Sequence, residues 1–393
     1  MNYSIQLLRS YSFSFIADGI FVSSLPLLAV LHGSDPSGGA LVVGLFNLPW
    51  IFSAATGSII DKYPPIQILR ISNIFRSIFS LGMVLLFLFP EYYNIYSLYI
   101  LAISIGICEV FYENTLPTIP AKIFKKEELK KFNSDSEYLS KLLKMIIGKF
   151  LGPIFVGILP VLAPLFNVFL FFLTSFHLKN KNIPIVKKSS EFSETNLKVG
   201  EWFVKNPIFI KLTAMSFINN AVFASTLAIV PIYITSLLKY EEYFVGFAMA
   251  SMGAGYLIGA KLTQSLNSSR LAPVYIFTAL GISTSFILIT SLTNIFVICF
   301  SMLLFGTCMS IRNVSGWTYT QQVMPKNLSG RITSIQRMYG WSGCAIGPII
   351  GSVVMKYSDI RSELVFCGML TLITLLVSIN IARKNSKDFV LEC

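Results

Sequence analysis

KNKNIPIVKKSSEFSETNLKVGEWFVK, Lys179 to Lys205, is the one long polar interval in a chain of 393 residues that otherwise alternates apolar runs with short gaps. Six apolar runs lie on either side of it, so it reads as a cytoplasmic linker between two membrane halves. Its six lysines are mixed with Glu191, Glu194 and Glu201, and Trp202 and Phe203 follow. A solvated tether and a surface-lying amphipathic piece both fit that pattern.

Composition sets the class. The chain is 54% hydrophobic and 13% charged, against roughly 45–50% and about 25% for soluble domains. It is therefore expected to be an integral membrane protein. Lysines and arginines outnumber acids by 31 to 19, but they sit in short gaps between apolar runs, which is a topology signal and no nucleic-acid footprint. Cys108, Cys299, Cys308, Cys344, Cys367 and Cys393 lack the spacing of a metal site or disulfide framework, and read as free thiols. His32 and His177 are the only histidines, too few for a histidine metal centre. No GxxxxGK[ST] occurs, which argues against ATP bound by this chain. The run after Arg9 has no A-x-A-like cleavage site and carries Asp18, so it reads as a retained first span.

A hydrocarbon core of ~30 Å takes about 20 helical residues, and open strands cannot satisfy their backbone there. The apolar runs predict helical spans at 9–31, 40–60, 71–90, 95–117, 137–159 and 161–178, then 207–237, 244–265, 272–291, 294–318, 333–354 and 362–381. Twenty-one lysines and arginines fall in the gaps on one side; the other side holds only Lys239, Lys356 and Arg361. That asymmetry places both termini and the linker in the cytoplasm. The expected division is a six-helix bundle at 1–178, a linker at 179–206, a second bundle at 207–382 and a tail at 383–393.

The two halves share a motif. Gly148-Lys-Phe-Leu-Gly152-Pro153-Ile-Phe-Val-Gly157 in span five and Gly343-Cys-Ala-Ile-Gly347-Pro348-Ile-Ile-Gly351 in span eleven both read GxxxGP with a third glycine behind, 195 residues apart. Small residues four apart let a neighbouring backbone approach, and an interior proline frees a carbonyl and bends the helix. Upstream lie comparable connections, Lys126-Glu-Glu-Leu129 and Pro325-Lys-Asn-Leu328, so the halves are expected to be parallel repeats. Between spans two and three stands Gly57-Ser-Ile-Ile-Asp61-Lys62-Tyr-Pro-Pro-Ile-Gln-Ile-Leu-Arg70-Ile-Ser-Asn73-Ile-Phe-Arg76. An acid ending one helix and bases opening the next form either a charge latch, with Gly57 allowing close packing, or a plain positive loop.

These motifs resemble those of the major facilitator superfamily, and more narrowly its macrolide and enterobactin-type siderophore exporters. The Gly57 to Arg76 loop is similar to the family's GxxxD(R/K)xx(R)R loop, span five to its antiporter motif, and Pro325 to Arg337 to a P-x-x-L-R-G-R-V-x-S stretch of that branch. The resemblance implies an all-α, twelve-span monomer that works by alternating access without a cofactor. It implies a central cavity lined by spans one, four, seven and ten, which would gather Asp18, Glu109, Asn219, Asn220 and Arg312. The chain departs from the pattern at Pro64 and Pro65, where bases are usual, and in span four, which lacks an arginine.

Ionisable groups inside spans cost at least ~2.5–3.5 kcal/mol on insertion scales, so each needs a partner or a role. Asp18, Glu109, Glu113, Lys141, Lys144, Lys149, Arg312 and Arg337 are in this position. In antiparallel neighbours, residues at equal depth have a constant sum of numbers. Glu109 with Lys149 gives 258 and Glu113 with Lys144 gives 257, so both pairs fit one register. Each is either a structural pair or a transport device, with Lys149 also free to meet an anionic substrate. Asp18 is either the proton carrier or a partner of Arg312.

The expected function is secondary transport: a proton-coupled antiporter exporting a drug, siderophore or other amphiphilic metabolite, with the lipid bilayer as its medium. Many Ile, Lys, Asn and Phe residues fit a bacterial source and its cytoplasmic (inner) membrane. The same fold running as an importer is the alternative. A polytopic enzyme or sensor would need a nucleophile with a base, or a metal cluster, and neither pattern occurs.

Overall fold

The computed structural model describes residues 2–31, 35–60, 62–124, 126–178, 196–265, 271–325 and 329–384. Asp61, His32, Arg270, Cys393, residues 179–195 of the linker and residues 326–328 lie outside them. All regular structure among the described residues is helical. Helices run in the order α1 (Asn2–Leu31), α2 (Pro36–Asn47), a 3-10 turn (Leu48–Phe52), α3 (Ser53–Ile60), α4 (Pro65–Leu88), α5 (Ile95–Thr115), α6 (Thr118–Ile123) and α7 (Lys126–Ser140). A π-helical stretch (Lys141–Gly148) leads into α8 (Lys149–Ile158), followed by α9 (Leu162–Leu178) and α10 (Asn196–Lys205). Then come α11 (Pro207–Ile232), a second π-helical stretch (Tyr233–Leu237), α12 (Glu242–Ser265), α13 (Leu271–Ser291), α14 (Ile295–Val323), α15 (Ser329–Tyr357) and α16 (Ile360–Lys384).

Local chemistry sets several boundaries. Asp35 caps α2 and Pro36 opens it, where the missing N–H is no loss. Asn94 and Asn294 cap α5 and α14 alike, accepting from Tyr96 N at 3.0 Å and Phe296 N at 2.8 Å. Among the described residues, nine helices are long and apolar enough to cross a membrane, where twelve spans are expected from the sequence. The other three apolar segments are helical but broken or short. Leu48–Phe52 divides one, the π-helical stretch divides another, and α9 is 17 residues long. The outer surface is apolar, with Phe296, Phe277 and Leu376 exposed, while serines, threonines and charges are buried inside. This is a multi-pass membrane protein.

Glycines of the repeated motif sit at two equivalent contacts. A Cβ on Gly148 would lie 2.7 Å from Gly19 Cα, and one on Gly152 would lie 2.6 Å from the Ile20 carbonyl oxygen, so the π stretch and α8 close on α1. On the other side a Cβ on Gly343 would lie 3.0 Å from Ala221 N and one on Gly347 2.7 Å from Ala221 Cα, so α15 closes on α11. Pro153 and Pro348 are buried in these seams. The third glycines diverge: Gly157 faces Glu242 of α12, whereas Gly351 faces the Glu363 carboxylate of α16. Gly57 does not support the close packing expected of it, because a Cβ there would meet nothing within 4 Å.

Contacts of α2 with α15, α8 with α12, and α1 with α11 join the first set of helices to the second. One continuous apolar cluster ties them together, running through Leu25, Ala29, Val43, Ile232, Tyr233 and Met249. At the other end, where α1 and α11 begin, the core divides into two separate clusters. Leu7, Tyr11, Leu69 and Tyr112 belong to one, Phe209, Leu212, Leu271 and Tyr319 to the other.

Candidate functional site

Two polar sites occupy the interior, and the first is an ion network on α1, α4, α5 and the π-helical stretch. Arg76 lies eleven residues into α4, about 16 Å from its start at 1.5 Å per residue. It is buried and belongs to no loop, which corrects its assignment to a latch. Its Nη2 donates to both Asp18 and Glu109, and its Nη1 donates to Ser14 Oγ at 3.2 Å and Asn73 Oδ1 at 3.3 Å. Phe171 and Tyr112 cover the guanidinium faces, with centroids 4.1 and 5.1 Å from Cζ. Lys144 Nζ completes the network, 2.9 Å from Glu113, 3.3 Å from Glu109 and 3.5 Å from Asp18.

Three carboxylates thus converge within 4.8 Å of one another on two cations. Fully ionised, the five side chains carry one uncompensated negative charge. The network is sealed at Asp18 and Arg76, whose side chains are 1% and 2% exposed, and reaches solvent at Glu113 and Lys144, at 27% and 23%.

Glu113 meets Lys144, as the antiparallel register predicts. Glu109 does not meet Lys149. A π-helical turn hydrogen-bonds i to i+5 and so holds more residues than an α turn; after Lys141–Gly148 the side chain of Lys149 points away from α5. Lys149 is buried with its Nζ 5.2 Å from the Phe223 ring centroid. Among the described residues it has no carboxylate within ion-pair reach.

The second site is a cavity of about 810 Å³ between the two divided clusters, lined by Glu137, Lys141, Asn219, Asn220, Arg312, Arg337 and Trp341 among others. That is inside the roughly 300–1,000 Å³ range of small-molecule sites. It opens toward the end at which α1 and α11 start. Asp18, Glu109 and Lys149 do not line it, contrary to expectation; Asn219, Asn220 and Arg312 do. Asn220 Nδ2 donates to the Gly340 carbonyl at 3.0 Å, whereas the Asn219 Oδ1 has no partner among the described residues. Arg312 does not pair with Asp18. Its Nη1 donates to Thr374 Oγ1 at 3.2 Å, its Cζ lies 4.6 Å from the Tyr275 ring centroid, and Nε and Nη2 have no partner among the described residues. Trp50 stacks on Trp341 at the cavity wall, with centroids 4.6 Å apart.

Of the expected latch, Lys62 is exposed and Arg70 half-buried, and their acid partner Asp61 lies outside the described residues. Neither the buried ion-pair role of Arg76, expected only in the latch, nor Glu363 was anticipated from the sequence. Arg76 lies six residues inside the expected span 71–90, so a census of intramembrane charges would have found it. Glu363 opens the expected span 362–381 and is fully buried beneath Gly351, with the Cys367 thiol 3.6 Å away.

Residues 7–348 match the family model described as Major Facilitator Superfamily. The chain is 26% identical over 384 residues to the "Putative bacilysin exporter BacE" of Bacillus subtilis (strain 168), covering 93% of this chain and 90% of that protein. A bacterial homologue of the iron transporter ferroportin in its inward-facing state is similar in structure, with TM-score 0.77, 15% identity and coverage of 96% and 98%. So are the nucleoside transporter NupG (TM-score 0.75, 16% identity, coverage of 97% and 99%) and a D-xylose-proton symporter (TM-score 0.75, 14% identity, coverage of 99% and 98%).

Proposed function

The chain belongs to the major facilitator superfamily, and we propose that this secondary transporter is a proton-coupled exporter of a small amphiphilic metabolite. No enzymatic role is assigned. The carrying observation is the odd charge of the buried network: three acids and two bases leave room for one proton. A carboxylate with little solvent favours its neutral form, and one surrounded by cations favours its ionised form. Asp18, Glu109 and Glu113, gathered on two cations, act together as the proton-loading group, entered from the exposed Glu113 and Lys144 edge.

Protonation weakens the hold of Arg76 and Lys144 on α1 and α5. Since α1 also packs on α8 and α11, a change in its attachment biases the closed end against the open cavity. Antiport then requires only that proton and substrate favour different states of the cavity. The glycine seams of α8 on α1 and α15 on α11 serve as the close-packed surfaces of that motion. Such a transporter has twelve spans, the broken and short apolar helices completing the count. It places both termini in the cytoplasm of a bacterial inner membrane, with the cavity facing inward. What supports export is the 26% identity to a protein named as a putative exporter, together with the antiporter-like motif at the start of α8; a metabolite of the macrolide or siderophore kind falls within this class.

The test is an imposed proton gradient across vesicles holding the purified protein in known orientation, read by a pH-sensitive dye on adding ethidium or N-acetylphenylalanine as probes. Proton movement in wild type and its loss in Asp18→Asn, with unchanged elution of the purified variant, is the expected result. An unaltered proton signal in Asp18→Asn overturns the assignment. Uptake driven into right-side-out vesicles, with none into inverted ones, would reverse the direction to import.

A further inference from the structure

The two glycine seams give a residue-by-residue correspondence between α1 and α11. Gly152 seats on Ile20 and Gly347 seats on Ala221, so Asp18 and Asn219, each two residues earlier, occupy equivalent places. The first set of helices thus matches a buried arginine with an acid. In the second set the position equivalent to Asp18 holds a neutral asparagine, and the buried arginine, Arg312, stands on α14, the counterpart of α5 rather than of the α4 that carries Arg76.

Arg312 is 1% exposed and has no carboxylate partner among the described residues. A guanidinium stays charged in proteins, and burying a charge without a counter-charge is costly. Its Nη1 is taken by Thr374 and one face by Tyr275. Nε and Nη2, both buried from solvent, have no hydrogen-bond partner among the described residues, and their N–H bonds project side by side from one edge of the plane. That edge forms two parallel hydrogen bonds with the oxygens of a carboxylate or a phosphate. Arg312 and Asn219 both line the 810 Å³ cavity.

We propose that Arg312 is the anion-recognition residue of the cavity, so that the transported molecule carries an oxyanion, received by the Nε and Nη2 edge. The proposal rests on the reading of this cavity as the substrate site. It divides the labour between the repeats: the acids around Arg76 handle the proton, and the unmatched arginine handles the substrate's charge. Exchange of a proton for an anionic molecule then runs through two separate sites, which communicate through α1 and α11.

The cavity carries its own reporters, Trp317 and Trp341, in a chain with four tryptophans. Purified protein in detergent, without any gradient, is titrated with N-acetylphenylalanine, its methyl ester and phenyl phosphate while tryptophan fluorescence is read. Saturable quenching by at least one of the two acids, with the ester at least tenfold weaker, is expected. Arg312→Lys keeps the charge but loses the fork, and should weaken acid binding at least tenfold while leaving ester binding unchanged. Carboxylate and phosphate preference, compared directly, names which oxyanion is taken. Equal quenching by acids and ester overturns the anion assignment while leaving the cavity a substrate site; no saturable quenching by any of the three overturns both. The acid-against-ester comparison needs no variant, so it stands even if Arg312→Lys fails to fold.

Discussion

Arg76 and Asp18 form a buried ion pair between α4 and α1, and the guanidinium nitrogen that makes it also serves Glu109 on α5. One side chain therefore holds three helices together, in a place where none of the charges has water to fall back on.

Removing Arg76 alone should leave two carboxylates facing each other. Arg76→Gln is expected to cost about 3–5 kcal/mol, the usual penalty for breaking a buried pair, seen as a lower thermal midpoint in detergent. The double variant Arg76→Gln with Asp18→Asn should recover part of that loss and still show no proton coupling. Equal stability of the single and double variants would show that the pair is not what the helices depend on.

Gly152→Ala should be poorly tolerated, because the new methyl group would sit 2.6 Å from the Ile20 carbonyl oxygen and force α8 off α1. Gly347→Ala should behave likewise against Ala221. Gly57→Ala, with nothing within 4 Å, should be neutral or gain up to about 1 kcal/mol of helix propensity. Yield of monodisperse protein for the three variants checks the order, and a damaging Gly57→Ala would restore its packing role.

Asp35 caps α2 by accepting from Ser37 N at 2.6 Å, Gly38 N at 3.2 Å and the Ser37 hydroxyl. The Ser37 hydroxyl, more than any other neighbour, holds this carboxyl below the usual carboxylate range. Asp35→Ala should cost about 0.5–2 kcal/mol. A depressed carboxylate stabilises above its unfolded pKa of about 3.9 and loses that contribution as pH falls through its folded pKa. Melting curves of wild type and Asp35→Ala should differ at pH 7 and converge below about pH 4; a constant difference down to pH 3 would refute the ionised cap.

Lys149 is a buried cation beside Phe223, away from both the cavity and the carboxylates. Lys149→Met fills the same space without the desolvation cost, and replacing buried charges by apolar groups is often neutral or stabilising by about 1–4 kcal/mol. The variant should melt at or above the wild-type temperature and bind the cavity probes unchanged. Weakened probe binding would return Lys149 to the substrate site.

Much was legible in the chain itself. Apolar runs long enough to cross a bilayer declared helices. The spaced glycines of the two GxxxGP motifs marked where backbones approach, because a missing side chain acts locally. Even the pairing of Glu113 with Lys144 followed from helix register. What the sequence could not determine depends on rotation about a helix axis and on partners far apart in the chain. A π-helical stretch of eight residues turns Lys149 away from Glu109, and no hydropathy pattern signals it. Arg76 finds Asp18 across 58 residues, and Arg312, packed on Thr374 and Tyr275, meets no acid among the described residues. Local composition determines which segments enter the membrane; which charges meet there is decided when the helices pack, since only packing removes the water that would otherwise keep them apart.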